Sequence, residues 1–456
     1  MDIGQTLPIY SIIPFVGMLL SIAIIPLINS KFWDKYQFAI AIAWSIIFLV
    51  PFTYAYGFNE SVEQLAETLL LDYVPFIVLL FGLFVVSGGI HIGGTIAGST
   101  KNNVILLAIG TILASWVGTT GAAMLLIRPV LRANLWRSHR KHIIIFFIFL
   151  VANMGGCLTP LGDPPLFLGF LRGVPFFWTL QNIWPLLILN SVVLLVMFAF
   201  IDRHYMKKED LDALELEEKT TEKRTPFKII GYHNFVFVVI IVLAVVLNGV
   251  IPQMPMFQDA SGQVIGIEFL GQHLGINYFV QIVLILLAAL LSMLTTKRDI
   301  RESNKFEWGP IAEVAKLFLG IFITMIPALA LLRCNGANLG IDNPAKFFWA
   351  SGTLSGFLDN SPTYVVFLTT AGALGYSGPD AIVTTVGTVA PQILLAISAG
   401  SVFMGALTYI GNAPNFMVKS MAESAKIKMP SFFGYMAWSI CCLIPVFILD
   451  TVIFFL

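Results

Sequence analysis

The chain has 456 residues, of which 57% are apolar and only 11% charged, whereas a soluble fold carries about a quarter charged residues. Water therefore cannot be its main solvent, and one membrane unit replaces the soluble domains that the length alone would allow. Lysine plus arginine equals aspartate plus glutamate at 26 each, which argues for neither nucleic acid nor an acidic partner.

The N-terminus lacks a basic region and a small-residue cleavage site, so no removable signal peptide is expected. A hydrocarbon core of about 30 Å needs about 20 apolar residues per helix. In chain order the candidate spans are 9–28, 37–56, 73–93, 142–171, 181–201, 233–251, 277–295, 310–332, 381–418 and 431–455. Two further apolar pieces, 103–131 and 344–372, are interrupted by polar tips. The amphipathic stretches Ser61–Leu71 and Ile311–Leu319 precede matching spans and are expected to lie in the interface. The four cysteines (Cys157, Cys334, Cys441 and Cys442) lack metal-ligand spacing and read as packed or lipid-facing thiols.

Charge placement sets the orientation. Segments 29–37, 98–103, 132–142, 202–232, 296–309 and 419–430 hold 21 of the 26 Lys and Arg, while 57–72 and 252–276 hold none. By the positive-inside rule the first group is cytoplasmic and the second external. Piece 103–131 then starts and ends inside and is too short for two full spans, so a re-entrant hairpin is expected; 344–372 reads as its external counterpart. The expected fold is an all-α integral membrane protein of about ten transmembrane helices plus two re-entrant hairpins. Residues 1–201 form a first repeat, with its hairpin at about 103–131 and a broken helix at about 142–171. Residues 233–456 form a second, inverted repeat, with its hairpin at about 344–372 and a broken helix at about 381–418. A cytoplasmic linker, 202–232, joins them.

The two breaks share a pattern. Thr159-Pro160-Leu161-Gly162-Asp163-Pro164-Pro165-Leu166-Phe167 and Thr408-Tyr409-Ile410-Gly411-Asn412-Ala413-Pro414-Asn415-Phe416 both read Thr-x-x-Gly-[Asp/Asn]-x-Pro-x-Phe. Each follows a polar hairpin tip: Gly118-Thr119-Thr120-Gly121 in the first half and Asp359-Asn360-Ser361-Pro362-Thr363 in the second. Gly and Pro stop a helix and free backbone groups near the bilayer midplane. The new helix N-termini suit carboxylates, and unwound carbonyls with Thr and Asn oxygens suit Na⁺. Asp163 and Asp359 are the acidic residues expected deep in the membrane, where a charge is costly and marks a functional site; the alternative is that each caps a half-helix. The candidate ion- or substrate-binding set is Thr119, Thr120, Thr159, Asp163, Asp359, Asn360, Ser361, Thr363, Thr408, Asn412 and Asn415, with Na⁺ assigned to Asp163 and Asp359. Arg172 reads as an external interfacial anchor, and His139 and His142 as span-end residues without ligand spacing.

The paired hairpins with Gly-Gly-x-x-Thr-x-x-Gly-Asp-Pro-Pro (155–165), Asp-Asn-x-Pro (359–362) and Gly-Asn-x-Pro-Asn (411–415) resemble the ion transporter superfamily. That group includes NhaD-type Na⁺/H⁺ antiporters, citrate and dicarboxylate carriers, and the ArsB and P-protein permeases. The resemblance implies a homodimer with scaffold and transport domains in a bacterial inner membrane, and an elevator-like movement of the hairpins. Dicarboxylate carriers resemble Ser-Asn-Thr at both tips, and this chain departs from that. Its Gly-Asp and Asp-Asn-x-Pro are closer to the NhaD and P-protein branches, of which the NhaD type lacks the Pro-Pro, and in general form it resembles a branch labelled for citrate transport. The leading expectation is Na⁺(Li⁺)/H⁺ antiport with Na⁺ and H⁺ exchanged at a midplane site. The alternative is Na⁺- or H⁺-coupled citrate or dicarboxylate transport. Neither an enzyme activity nor a bound cofactor is expected.

Overall fold

The computed structural model describes residues 3–94, 97–209 and 228–456. Of the linker expected over 202–232, residues 210–227 lie outside the described residues. The protein is helical throughout, with three two-stranded antiparallel pairs among the described residues. Ten helical runs there are long and apolar enough to cross a membrane.

The first half contains α1 (Ile13–Ile28), α2 (Ser30–Tyr56), α3 (Phe58–Ala66) and α4 (Val74–Ser87). A π-helical section, Glu67–Tyr73, makes α3 and α4 one continuous run. Then come α5 (Thr100–Val117), α6 (Thr119–Ala133), α7 (Lys141–Leu150), α8 (Pro164–Leu171) and α9 (Trp178–Met206). The second half contains α10 (Asn234–Val250), α11 (Ile276–Thr295), α12 (Arg298–Ser303), α13 (Gly309–Asn335), α14 (Pro344–Phe357), α15 (Asn360–Gly372), α16 (Pro391–Met404), α17 (Ala413–Ser424) and α18 (Phe432–Asp450). Both halves therefore run through three long helices, a helical hairpin, an interrupted helix and a final long helix.

Two expected elements differ from what folds. Apolarity merged 381–418 into one broken span, but Ile382–Thr384 and Gly387–Val389 form a tight β-hairpin, and α16 starts only at Pro391. The run Ile382-Val383-Thr384-Thr385-Val386 is β-branched, which favours strand, and Gly387 sits at φ +123°, where only glycine is comfortable. Hydropathy cannot separate such a hairpin from a helix. Conversely, α5 is 18 residues long and counts among the ten candidate spans. At about 1.5 Å per residue it extends for about 27 Å, so it is longer than a short hairpin arm.

Burial sorts the helices. The run Lys141–Leu158 is 89% buried inside the protein, against 22% for Lys31–Tyr56. The first is the core of the molecule, and the second shows Ile46, Ile47 and Val50 to its surroundings. Helices α1, α2 and α13 pack together, as do α4, α10 and α11. The interrupted helices sit inside this frame: α17 packs on α6 and α7, and α8 on α15.

Candidate functional site

The site begins with why four helices start where they do. Helix α5 ends at Gly118, whose φ of +81° lets the chain reverse at once into α6. Helix α14 ends at Leu358, and Asp359 caps α15 through a 3.0 Å bond from Ser361 N–H to Asp359 Oδ1. Pro164 and Pro165 open α8, and Pro414 lies in the first turn of α17. Proline suits a first turn because its missing N–H would be unsatisfied there anyway. Each break is preceded by a 3₁₀ turn, Met154–Leu158 or Gly405–Leu407.

Glycines let these turns close. A Cβ on Gly162 would stand 2.2 Å from Gly156 O, and one on Gly411 would stand 2.5 Å from Gly405 O. Gly121 brings α6 against Ser87 of α4, where a Cβ would meet Oγ at 3.0 Å. The threonines pin each break to its own hairpin. Thr159 Oγ1 donates to Ser115 O, and Thr408 Oγ1 donates to Gly356 O at 2.6 Å. Both hydroxyls also accept from the backbone two residues on, Leu161 N–H and Ile410 N–H. Ser115 and Ser355 repeat the pattern from the hairpin side, donating to Gly155 O and Ser401 O.

The four helix starts meet at Asp163, which is 1% exposed. It is the N-cap residue of α8, yet its side chain does not cap that helix. Instead Oδ1 accepts from Thr119 Oγ1 at 3.1 Å and Asn412 Nδ2 at 3.2 Å, and Oδ2 accepts from Asn360 Nδ2 at 2.7 Å. Thr119 opens α6, Asn360 opens α15, and Asn412 stands at the N-cap position of α17 without capping it through its side chain. One carboxylate thus gathers donors from the beginnings of three other helices, spread over both halves. All four helix dipoles present their positive ends there, which stabilises negative charge. No ion pair to Asp163 forms among the described residues.

Asn415 holds the second break, donating to Gly405 O at 2.8 Å and Thr408 O at 2.9 Å. Asp359 is half-buried and makes no hydrogen bond to Asp163; its carboxyl caps α15, as the capping alternative expected. Ser361 donates to Asn360 Oδ1 at 3.3 Å, and Thr363 donates back to Asp359 O at 2.9 Å. Pro362 lies between them, in the first turn of α15. Thr120 lies in the first turn of α6, half-buried beside Thr119.

A model of the family described as "Putative citrate transport" matches residues 4–455. The chain belongs to this family. No curated protein matches it. With its ten apolar helices, this family member is a multi-pass membrane protein built for transport rather than an enzyme.

Sequence reasoning missed several residues that organise this transporter. Asn153 is fully buried and donates to Asn415 Oδ1 at 2.7 Å while accepting from Asn412 Nδ2 at 3.3 Å, so it ties the two breaks together. Arg172, expected as a surface anchor, is instead 5% exposed and paired with Asp72 at 2.8 Å. His142 is not a loose span-end residue. It and Arg137 both reach Asp202 Oδ1 at 2.7 Å, and Thr100 reaches Oδ2 at 2.5 Å. A twofold reading of the hairpins would have found Ser115 and Ser355; the other contacts left no local signal.

Proposed function

We propose that this protein is a cation-coupled carrier of citrate-type carboxylates, with its site at Thr119, Asp163, Asn360 and Asn412. The observation that carries this reading is the character of the groups around Asp163: three side-chain donors and four helix N-termini, without an ion-paired cation. A cluster of amide and hydroxyl donors at helix N-termini suits a carboxylate. An asparagine facing a carboxylate oxygen at 2.7 Å turns its NH₂ toward it, so the donor character follows from the charge. The family description points the same way.

In this reading α5–α6 and α14–α15 are re-entrant hairpins, the two halves are inverted repeats, and the interrupted helices move with the hairpins against the outer frame. The even element order of the halves and the buried position of Lys141–Leu158 support it. Alternating access at a broken-helix site is how many secondary transporters work.

A second reading, Na⁺(Li⁺)/H⁺ antiport, is favoured by one observation: Asp163 is a buried carboxylate with no basic partner among the described residues, a group that binds a proton or a cation in turn. One reconstituted preparation separates the two. Labelled citrate uptake into proteoliposomes that collapses with Asn360→Ala supports carboxylate transport. Na⁺-driven proton flux without citrate, and no citrate uptake, would sink it in favour of antiport.

A further inference from the structure

Asp450 and Asn190 are both fully buried and join the final helices of the two halves, α18 and α9. Asn190, near the middle of the 29-residue α9, donates from Nδ2 to Asp450 Oδ2 at 2.9 Å. Asp450 Oδ1 and Asn190 Oδ1 are buried as well, and neither meets a donor among the described residues. No ion pair to Asp450 forms there either. Two other buried aspartates are far better supplied. Asp163 accepts from three side chains, and Asp202 accepts from Arg137, His142 and Thr100. Asp450 also lies in the last turns of a helical run that ends at Phe455, where the helix dipole disfavours a negative charge.

A buried carboxylate with one donor, at the wrong end of a dipole, neutralises rather than stays charged. We infer that Asp450 is a proton-binding site inside the membrane, holding a proton on Oδ1 and donating it to Asn190 Oδ1. Acid and amide then form a closed pair, N–H to one oxygen and O–H to the other, so one proton partners both orphaned oxygens. The proton comes from water, and no other covalent bond forms or breaks. This site stands apart from Asp163 and does not depend on what is carried. It fastens the last helix of one half to that of the other without placing a charge between them. Beside it Thr451 Oγ1 accepts from Trp349 Nε1 at 3.0 Å, so the same corner also holds α14. Loss of the proton would leave a bare carboxylate in that corner and weaken the seam in alkaline solution.

The charged and titratable groups of the surrounding elements are engaged elsewhere. Between Trp178 and Ile201, α9 carries no charged residue, and α18 carries none before Asp450. Tyr435 of α18 donates to Ala406 O, and Cys441 and Cys442 are free thiols earlier on that helix. On α14, Lys346 is paired with Asp342. Beyond Ile201 on α9, Asp202 is held by Arg137 and His142. Helices α5 and α7, which also pack on α9, carry Lys101, Lys141 and His142 in their first turns. Cys157 lies on the 3₁₀ turn against α9, while α16 and the turn Gly405–Leu407 carry no charged residue.

The test is infrared spectroscopy of the full chain in liposomes at neutral pH, where a protonated carboxyl and a carboxylate give separate carbonyl bands. Wild type should show a protonated-carboxyl band that shifts in D₂O and is lost in Asp450→Asn. Asp163→Asn and Asp359→Asn should each keep that band, which separates it from acids near the broken helices. Asn190→Val leaves the acid in place and should move the band to the position of a less hydrogen-bonded carboxyl, so the outcome does not hang on one variant folding. A proton held in the fold and released on unfolding makes stability fall as pH rises. The unfolding temperature of wild type should therefore drop further between mildly acid and alkaline solution than that of Asp450→Asn, whose amide can close the same pair with Asn190. Identical spectra from wild type and Asp450→Asn, a band unmoved by Asn190→Val, or equal drops in unfolding temperature would overturn the inference.

Discussion

Arg172 Nη2 lies 2.8 Å from Asp72 Oδ2, joining the end of α8 to the π-helical section that runs into α4. The guanidinium also donates to Leu168 O, the last turn of its own helix, at 3.2 Å. Arginine at a helix C-terminus meets the negative dipole end there, and Asp72 supplies the opposite charge from the outer frame. The side chains are 6% and 22% exposed, so water screens the pair only partly.

Removing one partner should therefore strand a charge. Arg172→Ala or Asp72→Asn is expected to lower stability by about 2–3 kcal/mol, somewhat below a fully buried pair because Asp72 is partly wet. Thermal unfolding in detergent can be followed through thiol exposure, since Cys157 and Cys442 are both buried. The double variant should cost clearly less than the sum of the two singles. Simple additivity would show that the contact carries no coupling.

A larger effect is expected at Asp202. Its two oxygens receive Arg137, His142 and Thr100, and the side chains of Arg137, His142 and Asp202 are all fully buried. These residues come from the start of α5, the loop after α6, the start of α7 and the end of α9, so one carboxylate closes the base of the first hairpin. Asp202→Asn leaves Arg137 buried without a counter-charge and is expected to cost about 3–5 kcal/mol. An unfolding midpoint within a degree of wild type would rule this out.

Glu209, just beyond α9, gives a pH dependence of known sign. Burial works to raise its carboxyl, but the N–H groups of Ser138 and His139 and the His139 ring outweigh burial and hold it below the usual 4.5. A lowered folded value means that the contribution is complete above pH 4.5 and is lost as pH falls from there through the folded value. Glu209→Gln should therefore narrow the gap in unfolding temperature between neutral and acid solution. A gap unchanged from wild type would count against it.

How much of this could be read from the chain depended on whether a residue had a counterpart in the other half. Asp163 and Asn412 stood out because Thr-x-x-Gly-[Asp/Asn]-x-Pro-x-Phe occurs twice, and a repeated break is hard to explain by packing alone. Asn153 did not, because Val402 occupies the matching place, so its role appears only when Asn412 and Asn415 fold against it. Asp202 was hidden differently. Hydropathy ended the span at 201, yet α9 continues to Met206, and a charge enters the core there because three partners are brought to it. Asp359 was legible as a polar tip residue, but its helix-capping geometry was not.

Asn153 should be a positioning residue. It makes no hydrogen bond to Asp163 and steadies Asn412 and Asn415 through its amide. Asn153→Ala would leave Asn415 Oδ1 without its donor, at about 1–3 kcal/mol. If it acts by aiming Asn412, the apparent KM for citrate should rise several-fold more than kcat falls, and Asn153→Gln should not restore it, because the longer side chain cannot keep both bonds. Equal changes in KM and kcat with restored stability in Asn153→Gln would reduce it to a packing residue.

The two break glycines should be equivalent in their intolerance. A methyl on Gly162 would stand 2.2 Å from Gly156 O, and on Gly411 it would stand 2.5 Å from Gly405 O and 2.8 Å from Ser355 O. All three obstacles are backbone, Gly156 and Gly405 in the 3₁₀ turns and Ser355 in the last turn of α14, and the Thr159 and Thr408 hydroxyls fasten each break to its hairpin, so no flexible side chain can give way. Overpacking of a close-packed interior costs about 1–3 kcal/mol, and more where backbone must shift. Gly162→Ala and Gly411→Ala are each expected to lose at least about 3 kcal/mol and to abolish transport, because moving either turn displaces Asp163 or Asn412 directly. Gly309 supplies the control: it opens α13 with nothing within 4 Å of an added Cβ. Gly309→Ala should change stability by less than about 0.5 kcal/mol. If Gly411→Ala behaved like that control while Gly162→Ala did not, the two breaks would not be doing the same structural job.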